Sequence, residues 1–136
     1  MIIDTSALVA VGWREDGFEP IFEAMLTGVG LIPAPVLVEF RRVTSLAGNL
    51  PDPGVDDLLA DLFLIGTAVI AFDNAHADAA VAANPRYGSG NGRGGPLNML
   101  DLMVYGVARA VSLPILCTGK DFAATDAVLH PASRRY

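Results

Sequence analysis

Cysteine is nearly missing from this 136-residue chain; Cys117 is the only one. A single cysteine forms no internal disulfide, and no Cys or His stands near it at metal-ligand spacing. A disulfide scaffold and a thiolate zinc site are therefore excluded. Cys117 is read instead as a small buried apolar residue. Long apolar runs are lacking too. The most apolar stretch, Leu58 to Phe72, is interrupted by Asp61 and Gly66, and no run reaches the roughly 18 residues that span a bilayer. No charged segment precedes an apolar one at the start, so no secretory leader is expected. These absences predict a soluble, cytoplasmic protein with no membrane partner. Positive charge is scarce as well: nine Lys and Arg against fifteen Asp and Glu leave a net charge of −6. That balance argues against holding nucleic acid through overall charge. It leaves a nucleic-acid substrate open, because a divalent metal on carboxylates can supply the cation that a phosphodiester needs.

What is present reads as one ordinary globular domain over residues 1–136. Hydrophobic residues make up 52% and charged residues 18%, too apolar for a disordered chain. Met1 to Ile3 predicts a first strand, and Thr5 or Ser6 can cap a helix that runs to about Gly12. A second helix is expected from Phe18 to Leu26, a second strand over Gly30 to Pro33, and a helix with Pro35 in its first turn. That helix should end at Gly48-Asn49, with a turn at Pro51-Asp52-Pro53-Gly54 and another amphipathic helix from Val55 to Ile65. Thr67 to Phe72 reads as a third strand and Asn74 as the cap of a helix ending near Ala83. The Gly-rich segment from Tyr87 to Pro96 reads as the one flexible stretch. Asn98 should cap an apolar helix to about Val111, followed by a fourth strand over Pro114 to Cys117. A short turn over Asp121 to Asp126 and a possible fifth strand over Ala127 to Leu129 complete the chain. Strands and helices alternating at this spacing predict an α/β fold, a parallel sheet of four to five strands flanked by helices.

Four carboxylates stand in unusual places. Asp4 ends the first strand, at the sheet edge where open α/β sheets bind ligands. Glu39 shares a helical stripe with Val36, Phe40 and Val43. Asp101 falls in the first turn of an otherwise apolar helix, and Asp121 follows strand four. Each has a plainer reading: Asp4 as a turn residue, Glu39 paired with Arg42, Asp101 complementing a helix N-terminus, Asp121 as loop composition. Together they carry more weight, because strand ends and helix starts of a parallel sheet meet at one edge. Clustered carboxylates share protons or bind hard cations. The pattern points to metal-assisted phosphodiester hydrolysis.

Other chemistries fit less well. The Gly-rich segment ends Gly-Gly-Pro-Leu-Asn, not in the Gly-Lys-Ser/Thr of a phosphate-binding Walker loop. An aspartyl-phosphate phosphohydrolase wants Asp-x-Asp, and position 6 is Ser. A receiver-like phosphoacceptor needs a second acid beside Asp4. His76 and His130 read as surface or capping residues, and no Ser-His-Asp or Cys-His set can be assembled.

Five segments resemble the PIN-domain ribonucleases, in particular the VapC-type toxins of toxin–antitoxin pairs. They are Met-Ile-Ile-Asp-Thr-Ser-Ala-Leu at the start, Val-Leu-Val-Glu-Phe around Glu39, and Arg-Tyr-Gly-Ser-Gly from Arg86. Leu-Asn-Met-Leu-Asp-Leu-Met-Val-Tyr from Leu97 and Gly-Lys-Asp-Phe-Ala-Ala-Thr-Asp from Gly119 complete the set. They occur in family order over essentially the whole chain. The resemblance implies a PIN-like domain and RNA cleavage with Mg2+ or Mn2+. It implies Asp4, Glu39, Asp101 and Asp121 as the catalytic acids, Asp4 and Asp101 as metal ligands, and Thr5 or Ser6 as a supporting hydroxyl. Many relatives carry two adjacent acids before the Phe, whereas Lys120 takes the first place here. Asp126 is therefore a second candidate for the fourth acid, and Lys120 can touch a phosphate instead. Arg86 and Arg93 are candidate RNA contacts or plain solvated arginines, and Tyr87 can stack on a base or pack on its loop. A cognate VapB-type antitoxin and a homodimer are implied likewise. The alternative is a non-catalytic PIN-like or receiver-like binding module.

Overall fold

A computed structural model describes residues 1–46 and 53–134, with the main chain alone at Leu46 and Pro53. Its centre is a four-stranded parallel sheet in the order β3-β2-β1-β4. The strands are β1 (Ile2–Ile3), β2 (Leu31–Pro33), β3 (Ala68–Ile70) and β4 (Ile115–Leu116). Strands covered on both faces should be continuously apolar, and Ile2, Ile3, Ile115 and Leu116 are all fully buried. β1 lies between β2 and β4, with Ile2 opposite both Leu31 and Ile115. The expected fifth strand shrinks to one isolated bridge between Ile115 and Leu129. The short strands end early, so the chain leaves the sheet soon after each one.

Among the described residues six helices surround this sheet: α1 (Thr5–Gly12), α2 (Glu19–Thr27), α3 (Ala34–Leu46), α4 (Pro53–Leu64), α5 (Asn74–Tyr87) and α6 (Met99–Val111). A 3₁₀ turn follows at Phe122–Ala124. Val36 and Phe40 of α3 and Leu59 and Leu62 of α4 join the strands in one core. Each fully buried side chain of this size contributes about 1.5–3 kcal/mol. Cys117 is buried in the same core, as its composition suggested.

Several boundaries differ from expectation, each for a local reason. Asp4, not Thr5 or Ser6, caps α1; it has the extended backbone of a cap and its carboxylate accepts the Ser6 N–H. Asp73, not Asn74, caps α5 in a reciprocal box with His76, whose ring is buried and not on the surface. The same helix continues through Pro85 to Tyr87. Proline forfeits one helical hydrogen bond, but Tyr87 is buried with its ring 5.7 Å from that of Tyr105, which holds the last turn. Pro53 and Gly54 belong to the first turn of α4; the rest of that expected turn and the Gly48-Asn49 helix end lie outside the described residues. The Gly-rich segment is stitched at its neck and is not an open flexible loop. Ser89 N–H donates to Leu97 O at 2.6 Å, Leu97 N–H to Tyr87 O at 2.8 Å, and Asn91 to Asn84 O at 2.8 Å. Gly90, Gly92 and Gly94 take positive φ inside that closed loop.

α5 and α6 pack so closely that Gly106 has no room for a side chain. A Cβ there would lie 2.4 Å from the His76 carbonyl oxygen and 2.9 Å from the Ala80 Cβ. Alanine would improve helix propensity by about 1 kcal/mol, while forcing two buried helices apart costs about 1–3 kcal/mol. Packing should win because the obstacle is backbone. Gly106→Ala is expected to lose roughly 1–2 kcal/mol in urea unfolding, and a gain in stability would contradict this account of the interface.

Candidate active site

Asp4 follows β1 directly and is 5% exposed. Its Oδ2 accepts the Ser6 N–H at 3.0 Å and the Ser6 hydroxyl at 2.5 Å. Ser6 Oγ in turn accepts the Thr118 N–H at 3.0 Å, which links α1 to the chain leaving β4. The Asp4 N–H donates to Leu116 O at 3.0 Å. Sheet and side-chain hydrogen bonds thus fix one carboxylate between two neighbouring strand ends. Burial pushes its acid strength down, raising the pKa, and the Glu39 charge adds to this; the Ser6 hydrogen bonds oppose it.

Asp101 arrives from the other direction. Asn98 caps α6 by accepting the Leu100 and Asp101 N–H groups at 2.8 and 3.0 Å, and Asp101 Oδ2 accepts the Asn98 N–H at 2.9 Å. The helix-start reading of Asp101 is therefore true, and it also faces the acids. Burial raises its pKa to about 6, the Asn98 N–H opposes this, and the Asp4, Asp121 and Glu39 charges raise it further. A capping carboxylate at an isolated helix start would move the other way, so the neighbouring charges and burial dominate.

Asp4, Glu39 and Asp101 line one pocket of about 300 Å³, with Thr5, Ser6, Val9, Glu15, Val43 and Thr118. Glu39 is half-buried at its wall, and among the described residues no ion pair joins it to Arg42. Asp121 is exposed just after Lys120 and reaches the site through its charge on Asp101. Asp126 lies elsewhere: it accepts the Tyr105 hydroxyl at 2.7 Å and lines a different pocket with Arg86, Tyr87 and Arg109. Arg86 sits 5.1 Å from the Tyr87 ring centre, and Arg93 and Lys120 are exposed. Tyr87 is buried and packs rather than presenting a face for stacking. The sequence reading missed Glu15, Thr118 and Arg134. Glu15 sits in a loop with no periodic marker, Thr118 contributes a backbone N–H, and Arg134 meets Glu15 at 3.5 Å only through folding.

The donor set suits a hard cation. It offers carboxylate oxygens, and the buried Thr5 hydroxyl at the same pocket has no hydrogen-bond partner among the described residues. Among the described residues no three Asp, Glu, His or Cys side chains form a ready metal cage. Mg2+ does not require one, since it takes one or two carboxylates and keeps waters and phosphate oxygens for the rest. Asp4 and Asp101 are the pair that would hold it.

The crowding of acids around Asp101 has a consequence for stability. With a folded pKa near 6 against an ordinary 3.8, folded Asp101 keeps a proton that the unfolded chain has lost over that interval. Stability therefore falls as pH rises from about 4 to 6 and remains lower above it. Asp101→Asn removes the charge and can still accept the Asn98 N–H. In chelator it is expected to raise Tm by roughly 2–5 °C at about pH 7.5, after allowance for partial solvent screening, and to change it little near pH 4. A lower Tm at the higher pH would contradict the electrostatic strain.

A family model described as PIN domain matches residues 1–128. The ribonuclease VapC30 of Mycobacterium tuberculosis is 36% identical over 135 residues, covering 93% of this chain and 95% of that protein. Among solved structures, the sarcin–ricin loop cleaving toxin VapC20 of Mycobacterium tuberculosis superposes with a TM-score of 0.70 at 17% identity, over 93% of this chain and 95% of that one. VapBC2 of Rickettsia felis, bound to a DNA fragment from its promoter, gives 0.70 at 15% identity, over 99% and 97%. Sequence match, sheet order and the acids gathered at the strand ends agree, and the chain belongs to the PIN domain family.

Proposed function

We propose that this protein is a metal-dependent endoribonuclease, the toxin of a VapBC-type pair acting in the cytoplasm. The observation that carries the reading is the convergence of Asp4, Glu39 and Asp101 on one pocket, with the Asp121 charge acting on Asp101. The relatives' designation as ribonucleases supports it at the level of reaction and substrate class.

Mg2+, or Mn2+ in its place, supplies when bound an activated water and a positive centre for phosphate oxygens. The chain's own residues prepare that chemistry. Ser6 and the Thr118 N–H fix the direction of the Asp4 carboxylate. The Asn98 cap fixes Asp101, so Asp4 and Asp101 reach the pocket from separate elements, each held by its own hydrogen bonds. Glu39, at the wall of the same pocket, is the proposed acceptor of the proton from attacking water, and Thr5 offers a buried hydroxyl. Exposed Lys120 and Arg93 are the cations proposed to meet RNA phosphates.

The proposed antitoxin surface is a groove between α1, α2 and α4. Val11, Phe18, Phe22 and Leu58 line it, with Glu19 and Asp57 on the rim. It suits an apolar segment flanked by basic residues, and the acidic rim supports a partner of that charge. α4 contributes to this groove and α3 does not, because Val36 and Phe40 of α3 are core. A homodimer is part of the proposal; exposed Val81 and Met99, beside Leu102 and Met103, supply an apolar strip for it.

Purified protein with Mg2+ is expected to cleave RNA, and chelator should stop it. Asp4→Asn and Asp101→Asn should each lower the rate on the order of 10³-fold. Equal cleavage by all three proteins would refute the site.

A further inference from the structure

Asp121 is exposed and makes no side-chain capping bond, so its place depends on the loop that carries it. That loop is internally tied: Thr125 Oγ1 donates to Phe122 O at 2.7 Å and accepts the Ala127 N–H at 3.0 Å, and Phe122 is buried. Its tie to α6 is the Tyr105 hydroxyl, which donates to Asp126 Oδ1 at 2.7 Å across 21 residues of sequence. Tyr105 stands one helical turn beyond Asp101, on the same side of α6. Its ring is buried against that of Tyr87, so the hydroxyl has one fixed position. Tyr105 and Tyr87, with the Arg109 and Arg86 charges, hold the Asp126 carboxyl below its ordinary pKa. A charged acceptor shortens and strengthens the bond.

The same helix and the same loop therefore meet twice. At one point Asp101 and Asp121 repel. One turn away, Tyr105 and Asp126 attract. We propose that the Tyr105–Asp126 hydrogen bond clamps the loop so that Asp121 stays within reach of the acidic centre, making both of its partners positioning residues. The inference rests on the nuclease reading of that centre. It also assigns Asp126 a role distinct from that of a fourth acid, since its partners are tyrosines and arginines.

The test uses Tyr105→Phe, which keeps the buried ring and removes the donor, and Asp126→Ala, which removes the acceptor from the exposed side. Each is made in the natural chain and in an Asp121→Asn background, and RNA cleavage and amide hydrogen exchange are both measured. Each variant should lower kcat about tenfold with KM unchanged. In the Asp121→Asn background the same changes should have less than about a twofold effect, because a residue acting through Asp121 loses its influence when that carboxylate is gone. Exchange at Ala124, Thr125 and Ala127 should accelerate about tenfold in both variants. An equal loss of kcat in both backgrounds, or unchanged exchange, would overturn the clamp. If the natural chain cleaves no RNA, the nuclease reading fails by itself, and exchange still decides whether the bond holds the loop.

Discussion

A carboxylate buried at the end of the central strand is the constraint on which this site depends. Left alone, an ionised group so placed would cost on the order of several kcal/mol. Asp4 is stabilised by the Ser6 hydroxyl and N–H, and Ser6 is itself held by the Thr118 N–H. The chain of bonds does more than compensate a charge. It joins the exits of β1 and β4, the two strands whose ends frame the pocket, and fixes where α1 begins. Remove the hydroxyl, and the direction of the carboxylate and the spacing of the two exits would loosen together.

The other acids follow from the same geometry. In a parallel sheet all strand exits lie on one edge, and the loops between β4 and the C-terminal segment return to it. α6 starts near that edge, so the capping position of Asp101 is also a position beside Asp4. Capping and site formation do not compete here, because the cap uses the Asp101 Oδ2 to hold the backbone while burial and, after it, the neighbouring charges raise the pKa of the group. The folded protein thus stores electrostatic repulsion among Asp4, Glu39, Asp101 and Asp121, in a form that a bound cation would relieve.

Much of this was legible in the residues. The apolar strand Ile2–Ile3 running into Asp4, the Asn98 cap three residues before Asp101, and the alternation of strands and helices all follow from local rules that the fold does not override. What escaped was non-local. Whether Thr5, Ser6 or Asp4 caps α1 depends on which side chain the strand exit turns toward the helix. Pro85 looked like a helix end because the buried contact of Tyr87 with Tyr105 cannot be read from sequence neighbours. Glu15 and Arg134 meet across more than a hundred residues. Asp121 and Asp126, five residues apart in one loop, were indistinguishable by composition, and only the fold separates a carboxylate near Asp101 from one held by Tyr105.

Membership in the PIN domain family accounts for the sheet order and the meeting of acids at its edge, and the proposed purpose of these acids is to hold a divalent cation. The most direct measurement is anomalous diffraction from crystals of the protein soaked in Mn2+, which accepts the same oxygen ligands as Mg2+. The account predicts a peak about 2.1 Å from carboxylate oxygens of Asp4 and Asp101. Bound Mn2+ elsewhere, with none between those two residues, would contradict it.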